Sequence, residues 1–136
     1  MTSASTRVPA DLAAVGAVRS HLAEALARES WTGDAASSVL TASTEALTNA
    51  VEHGSAPGAR IDVAVQVTAL AARVRVLDGG RPGSETPLGE PETPPVTSLR
   101  GRGRLMMRAL AQEMQVRPHG SGTEVLLVFG REALAA

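Results

Sequence analysis

Apolar residues follow two different rhythms along this chain, and the change between them separates helical from extended segments. Leu12, Val15, Val18, Leu22 and Leu26 recur every three or four residues, which puts them on one face of a helix. This spacing predicts a first helix that opens at Pro9 or Ala10 and runs to about Glu29. Asp11 falls in its first turn, where a negative charge suits the helix dipole. Trp31-Thr32-Gly33-Asp34 breaks the pattern, and Thr32 or Asp34 can cap a second helix reaching about His53. Val39, Leu40, Leu47, Ala50 and Val51 are its candidate core positions, and Gly54 with Pro57-Gly58 ends it.

From Ile61 the period drops to two. Ile61, Val63, Val65 and Val67 alternate with Asp62, Ala64, Gln66 and Thr68, and Val74 and Val76 alternate with Arg73, Arg75 and Leu77. Two strands joined by a short turn near Ala69–Ala72 fit this pattern. Asp78-Gly79-Gly80 ends the second of them, and Arg81 to Arg100 then carries five prolines with no periodicity. Structureless loops beyond roughly 12–15 residues are uncommon in compact domains and are often lids or binding loops. A third helix is expected from Gly101 or Gly103 to Met114, with Leu105, Met106, Ala109, Leu110 and Met114 apolar. Gln115–Arg117 reads as a short strand, His119–Gly122 as a turn, Thr123–Phe129 as a final strand and Arg131–Ala136 as a terminal helix. Met1–Thr6 is small and polar and reads as loose, with Arg7-Val8-Pro9 at most a very short strand.

Composition narrows the chemistry. A length of 136 residues predicts one domain, and 43% hydrophobic content suffices for a core. Trp31 and Phe129 are the only aromatic residues, so Leu, Val and Ala must do most of the packing. Thirteen basic and fourteen acidic residues nearly cancel, which gives no bulk reason to expect nucleic acid or a membrane as partner. All thirteen basic residues are Arg. Without Lys, a P-loop nucleotide site and Schiff-base chemistry are excluded. Without Cys, thiolate chemistry, zinc thiolates and disulfides are excluded as well. No apolar run reaches membrane-spanning length and Met1–Ala10 lacks a signal-peptide core, so a cytoplasmic protein is expected.

Four groups of residues can carry chemistry. Glu45, Asn49 and His53 are spaced i, i+4, i+8, so they share one side of the second helix. A carboxylate, a carboxamide and an imidazole in a row can handle a metal ion and a proton; a solvated polar face has the same pattern. Mg²⁺ takes few protein oxygens and fills its octahedron with phosphate and water, so one Asn is sufficient. A Glu one turn away can accept a proton from an incoming hydroxyl. His53 fits better as a helix-end residue complementing the dipole. Asp78 at a strand end can accept a hydrogen bond from an exocyclic adenine amine, with glycines letting a flat base approach, although Asp-Gly is also a plain turn signal. Gly101-Arg102-Gly103 at a helix start suits phosphate, or a hinge. The Thr123 hydroxyl can reach an adenine edge, or simply belong to a strand.

In order and spacing these groups resemble the ATP-binding domain shared by gyrase, the Hsp90 chaperones, histidine kinases and MutL, the Bergerat fold. Glu45-x-x-x-Asn49-Ala50-x-x-His53-Gly54 looks like its N box, Asp78-x-Gly80 like its G1 box, Gly101-x-Gly103 like its G2 box and Gly122-Thr123 like its threonine box. The resemblance covers about residues 7–130. The short chain and the N box are similar, more narrowly, to the anti-sigma-factor serine kinases.

The resemblance implies an α+β fold: a two-layer α/β sandwich with a mostly antiparallel sheet and helices on one face, in a single domain over residues 1–136 with a lid at about 79–103. It implies ATP and Mg²⁺ as cofactors. Asn49 would coordinate the metal and Glu45 would be the general base toward a serine. Asp78 would bind the adenine amine, with Gly80 and Gly83 lining the base site. Gly101, Arg102 and Gly103 would hold phosphates, and Thr123 would support adenine. The implied partners are a small anti-anti-sigma (STAS) protein carrying that serine, a sigma factor, and a second copy in a homodimer. Two departures stand out: Arg81-Pro82 puts one extra residue between Gly80 and Gly83, and Arg104 stands where an aliphatic residue usually follows the G2 glycines. The usual first strand has almost no sequence before Pro9, which would leave a sheet edge open or make room for a partner. A non-catalytic, nucleotide-responsive binding module is the alternative to a kinase. A detached histidine-kinase catalytic domain fits less well, because the chain has no room for a dimerisation hairpin with its phosphoacceptor His.

Overall fold

The computed structural model of the chain describes residues 1–56, 58–80 and 99–131. Among these residues, five strands and three α-helices follow in the order β1 (Thr2–Pro9), α1 (Leu12–Arg28), α2 (Gly33–Asn49), β2 (Arg60–Val67), β3 (Ala71–Leu77), α3 (Leu99–Leu110), β4 (Glu113–His119) and β5 (Gly122–Gly130). A single π-helical turn, Ala50–Gly54, extends α2. The strands form one sheet in the order β1-β2-β3-β5-β4, and each neighbouring pair runs antiparallel. This is the expected α+β fold.

Strand alternation sorts the two faces of the sheet. Ile61, Val63, Val67, Ala72, Val74, Val76, Leu127 and Phe129 point into one core with Val15, Val18, Leu22 and Leu26 of α1 and Val39, Ala46 and Leu47 of α2. The other face carries Gln66, Arg73 and Arg75 into solvent. Two shallow depressions on that open face, of about 410 and 380 Å³, are lined by Ser5, Ala64, Arg75 and their neighbours. Neither touches Glu45, Asn49 or Asp78.

β1 corrects the reading of Met1–Thr6 as loose and of the sheet edge as open. All eight of its residues pair with β2, from Thr2 opposite Val67 to Pro9 opposite Arg60. Backbone ladder bonds, rather than apolar side chains, hold it there; Val8 is its residue packed on the core. Arg7 donates to Asp62 at 2.7 Å across this register, an exposed pair of small energetic weight. Because β1 runs through Pro9, α1 begins at Leu12 rather than at Pro9 or Ala10. Asp11 is its N-cap, accepting from the Ala14 N–H at 2.8 Å. Leu12, the first residue of the apolar helical spacing, is exposed in that first turn.

α1 ends in a Schellman turn, with Trp31 N–H donating to Leu26 O and Ser30 N–H to Ala27 O. Ser30 takes the left-handed position (φ 61°) that usually falls to glycine. This turn seats Trp31 in the core, where its indole N–H donates to Thr68 O at 2.8 Å. Arg131 closes the same corner. Its guanidinium donates to Glu29 O, Ser30 O and Ala69 O and lies 5.8 Å from the Trp31 ring centroid. Two turns and the end of β5 are thereby tied together.

α3 starts earlier than expected, at Leu99, and Met114 belongs to β4. Its buried face is set by Gly103 and Met107, with Leu110 packed partly on the core, whereas Leu105 and Met106 point outward. The terminal helix expected after Arg131 lies outside the described residues.

One core position lacks polar compensation. The Ser43 hydroxyl in α2 is buried with no hydrogen-bond partner among the described residues. A buried hydroxyl without a partner costs about 1–3 kcal/mol. Ser43→Ala is therefore expected to raise stability by about 1 kcal/mol, measured as a higher denaturation midpoint at unchanged m-value.

Candidate functional site

The sheet and the helix layer bring the N-box, G1 and threonine-box residues to the same end of the molecule. Asp78 follows β3 directly and is 7% exposed, so its carboxylate needs donors. Antiparallel pairing of β3 with β5 supplies one: Asp78 N–H donates to Thr123 O at 3.0 Å, and Thr123 N–H donates back to Asp78 Oδ1 at 3.1 Å. Gly80 N–H donates to the same oxygen at 3.1 Å, closing an Asx turn. The carboxylate is thus fixed by two backbone donors on elements far apart in sequence.

Glycines make this packing possible. Gly80 has φ 84°, and a side chain there would run into the Ser121 carbonyl group. At Gly122 a Cβ would sit 2.6 Å from the Asp78 carbonyl carbon. Ser121 adds a hydroxyl donated to Gly79 O at 2.6 Å. The Asp78–Gly80 turn and the Ser121–Thr123 hairpin end therefore lie in close backbone contact.

Glu45 and Asn49 are one turn apart on α2, and both are partly buried. A Cβ built on Gly103 of α3 would lie 2.6 Å from Glu45 Oε2 and 3.6 Å from the Asn49 amide. Gly103, the fifth residue of α3, consequently packs on Glu45 and Asn49, and any side chain there would push the Glu45 carboxylate aside. Glu45, Asn49 and Gly103 form one group. Turning the Asn49 carboxamide about its terminal bond presents oxygen in place of nitrogen. Among the described residues no three His, Cys, Asp or Glu side chains gather to hold a metal by themselves. The donor set therefore suits an ion such as Mg²⁺ that takes one or two protein oxygens and is otherwise coordinated by phosphate and water.

The remaining expected residues separate. His53 lies in the π-helical turn with its Nε2 3.8 Å from Glu52 Oε2, in keeping with the helix-end role. Thr123 acts on Asp78 through its backbone N–H, in addition to whatever its hydroxyl contributes. Gly101 and Arg102 lie in the first turn of α3, and nothing is described of the Arg102 side chain. Gly83 and most of the expected lid, residues 81–98, lie outside the described residues. Gly54, Ser121 and Gly122 contribute contacts that reading side-chain chemistry alone misses; the Gly54 and Gly122 letters were visible, their packing roles were not.

This fold and these boxes define an ATPase-type domain, and the chain belongs to the histidine kinase-like ATPase domain family, whose model matches residues 8–129. The same fold is found in the crystal structure of the RsbU and RsbW domains of Rv1364c from Mycobacterium tuberculosis. That structure superposes with a TM-score of 0.70 at 24% identity over 95% of this chain and 32% of that one. The present chain thus spans about a third of that chain's length. No curated protein sequence matches the chain. Among the described residues no helix is long and apolar enough to cross a membrane.

Proposed function

We propose that this chain, residues 1–136, is one ATP-binding regulatory domain of the anti-sigma-factor kinase type, which transfers the terminal phosphate of ATP to a serine of a STAS partner. The observation that carries the reading is the Asp78 carboxylate, buried, held by Thr123 and Gly80 N–H groups and surrounded by bare glycine backbone. A fixed carboxylate acceptor beside side-chain-free backbone suits a flat base with an exocyclic amine. Asn49 and Glu45 then stand against Gly103 near the N-terminal end of α3, and Gly101, Arg102 and Gly103 are assigned to the phosphate end of the nucleotide. Mg²⁺, held by Asn49, supplies charge neutralisation at the phosphates when bound. Glu45 accepts the serine proton as the hydroxyl attacks. Gly83 is assigned to the base site and Thr123 to the adenine edge. A sigma factor as second partner, a homodimer and a cytoplasmic location complete the proposal.

The test is calorimetry with Mg-ATP on the wild type and Asp78→Asn. The amide keeps an oxygen for the two backbone donors but turns an NH₂ toward the base, so donor meets donor. ATP affinity is expected to fall roughly 10- to 100-fold, or about 1.4–2.8 kcal/mol. Equal affinities for the two proteins would remove Asp78 from base recognition.

A further inference from the structure

The π-helical turn at the end of α2 delivers Gly54 directly against Asp78. A Cβ on Gly54 would lie 2.6 Å from Asp78 Cγ and 3.1 Å from Oδ1, and closer still to Oδ2. Real Cβ atoms do not tolerate such distances, so something must move. The backbone at 54 has little freedom to retreat, because Ser55 forms a parallel bridge with Gly80 and its side chain is buried beside it. The carboxylate cannot swing aside without releasing the Thr123 and Gly80 N–H groups from Oδ1. Nor does Gly54 adopt a left-handed backbone that would explain glycine by conformation. Its missing side chain is explained by the space Asp78 occupies.

We infer that Gly54 is a positioning residue for base selection: its bare Cα lets the Asp78 carboxylate sit where it distinguishes a 6-amino purine from a 6-oxo purine. The inference rests on the ATP-binding reading above. A 6-amino group donates to the carboxylate, whereas a 6-oxo group opposes it, and the contrast depends on where the carboxylate stands. A methyl at 54 shifts it whichever oxygen takes the amine. The pairing also gives α2, whose side chains serve the phosphate end, a direct steric hold on the residue that reads the base.

The experiment measures Kd for Mg-ATP and Mg-ITP, with melting temperatures, for wild type, Gly54→Ala, Asp78→Ala and the double variant. In Gly54→Ala, ATP affinity is expected to fall about tenfold or more while ITP affinity changes less than about threefold, so the preference for ATP collapses. Gly54→Ala is also expected to melt lower than wild type, whereas adding it to Asp78→Ala should leave the melting temperature unchanged, because the methyl then meets no carboxylate. That second arm reads the contact even if the single variant folds poorly. Retained ATP preference in Gly54→Ala, an equal loss of both nucleotides, or melting losses that simply add in the double variant would each overturn the inference. A wild type that binds neither nucleotide would instead overturn the ATP-binding reading on which it rests.

Discussion

Replacing Glu45 by Gln is expected, on the proposed kinase function, to slow phosphoryl transfer to a STAS serine by about 10²- to 10⁴-fold while leaving Mg-ATP affinity within about twofold. The side chain of Glu45 is where α2 and α3 meet, with Oε2 2.6 Å from the position a Gly103 Cβ would take. Gln has the same shape, so α3 still packs on it; what it loses is the ability to take a proton. The loss should therefore fall on kcat and spare binding. Single-turnover transfer from labelled ATP, with calorimetry in parallel, separates the two. Transfer at the wild-type rate in Glu45→Gln would exclude Glu45 as the base. Retention of every regulatory output by this variant in cells would favour the alternative, a nucleotide-responsive module that works without phosphoryl transfer.

Phe129→Ala is expected to destabilise the protein by about 3–5 kcal/mol. Phe129 is fully buried and lies opposite Ala72 on β3, in a core built mainly from Leu, Val and Ala with Ile61, Met107 and Trp31. Ala72 and the other small side chains around it cannot swell to fill the space, so the cavity cost is added to the lost transfer free energy. The melting temperature should drop by roughly 10–20 °C for a chain of this size. A drop below about 3 °C would show that the layers close over the gap.

Residues Ile61–Leu77 declared their structure in the sequence because strict alternation has one physical meaning when one face of a sheet is buried and the other wet. β1 did not, because Thr2–Thr6 contributes backbone rather than apolar side chains to the sheet. The apolar letters of α3 did not reveal its phase: Leu105 and Met106 face outward, while Gly103 lies against Glu45 and Met107 is buried in the core. In the site, Glu45, Asn49 and Asp78 were legible because their functional groups announce them. Gly54 and Gly122 were legible as turn formers and as letters of the N-box and threonine-box patterns, without a packing role. What they do is leave room, and room is defined by the partner across it, Asp78 in both cases.

β5 has Thr123 near one end and Arg131 just past the other, eight residues apart and separated by roughly 27 Å of extended chain. At the near end it donates to the Asp78 carboxylate; at the far end Arg131 is bolted to the Glu29–Ser30 and Ala69 carbonyls. A strand anchored at both ends cannot slide along its neighbours. Any two-residue slip that kept Phe129 and Leu127 facing inward would preserve the hydrophobic pattern, yet it would tear the far anchor loose and carry Thr123 away from Asp78. The arginine corner, remote from every group assigned to ATP, is in this sense the gauge against which the base-reading end of the strand is set to length.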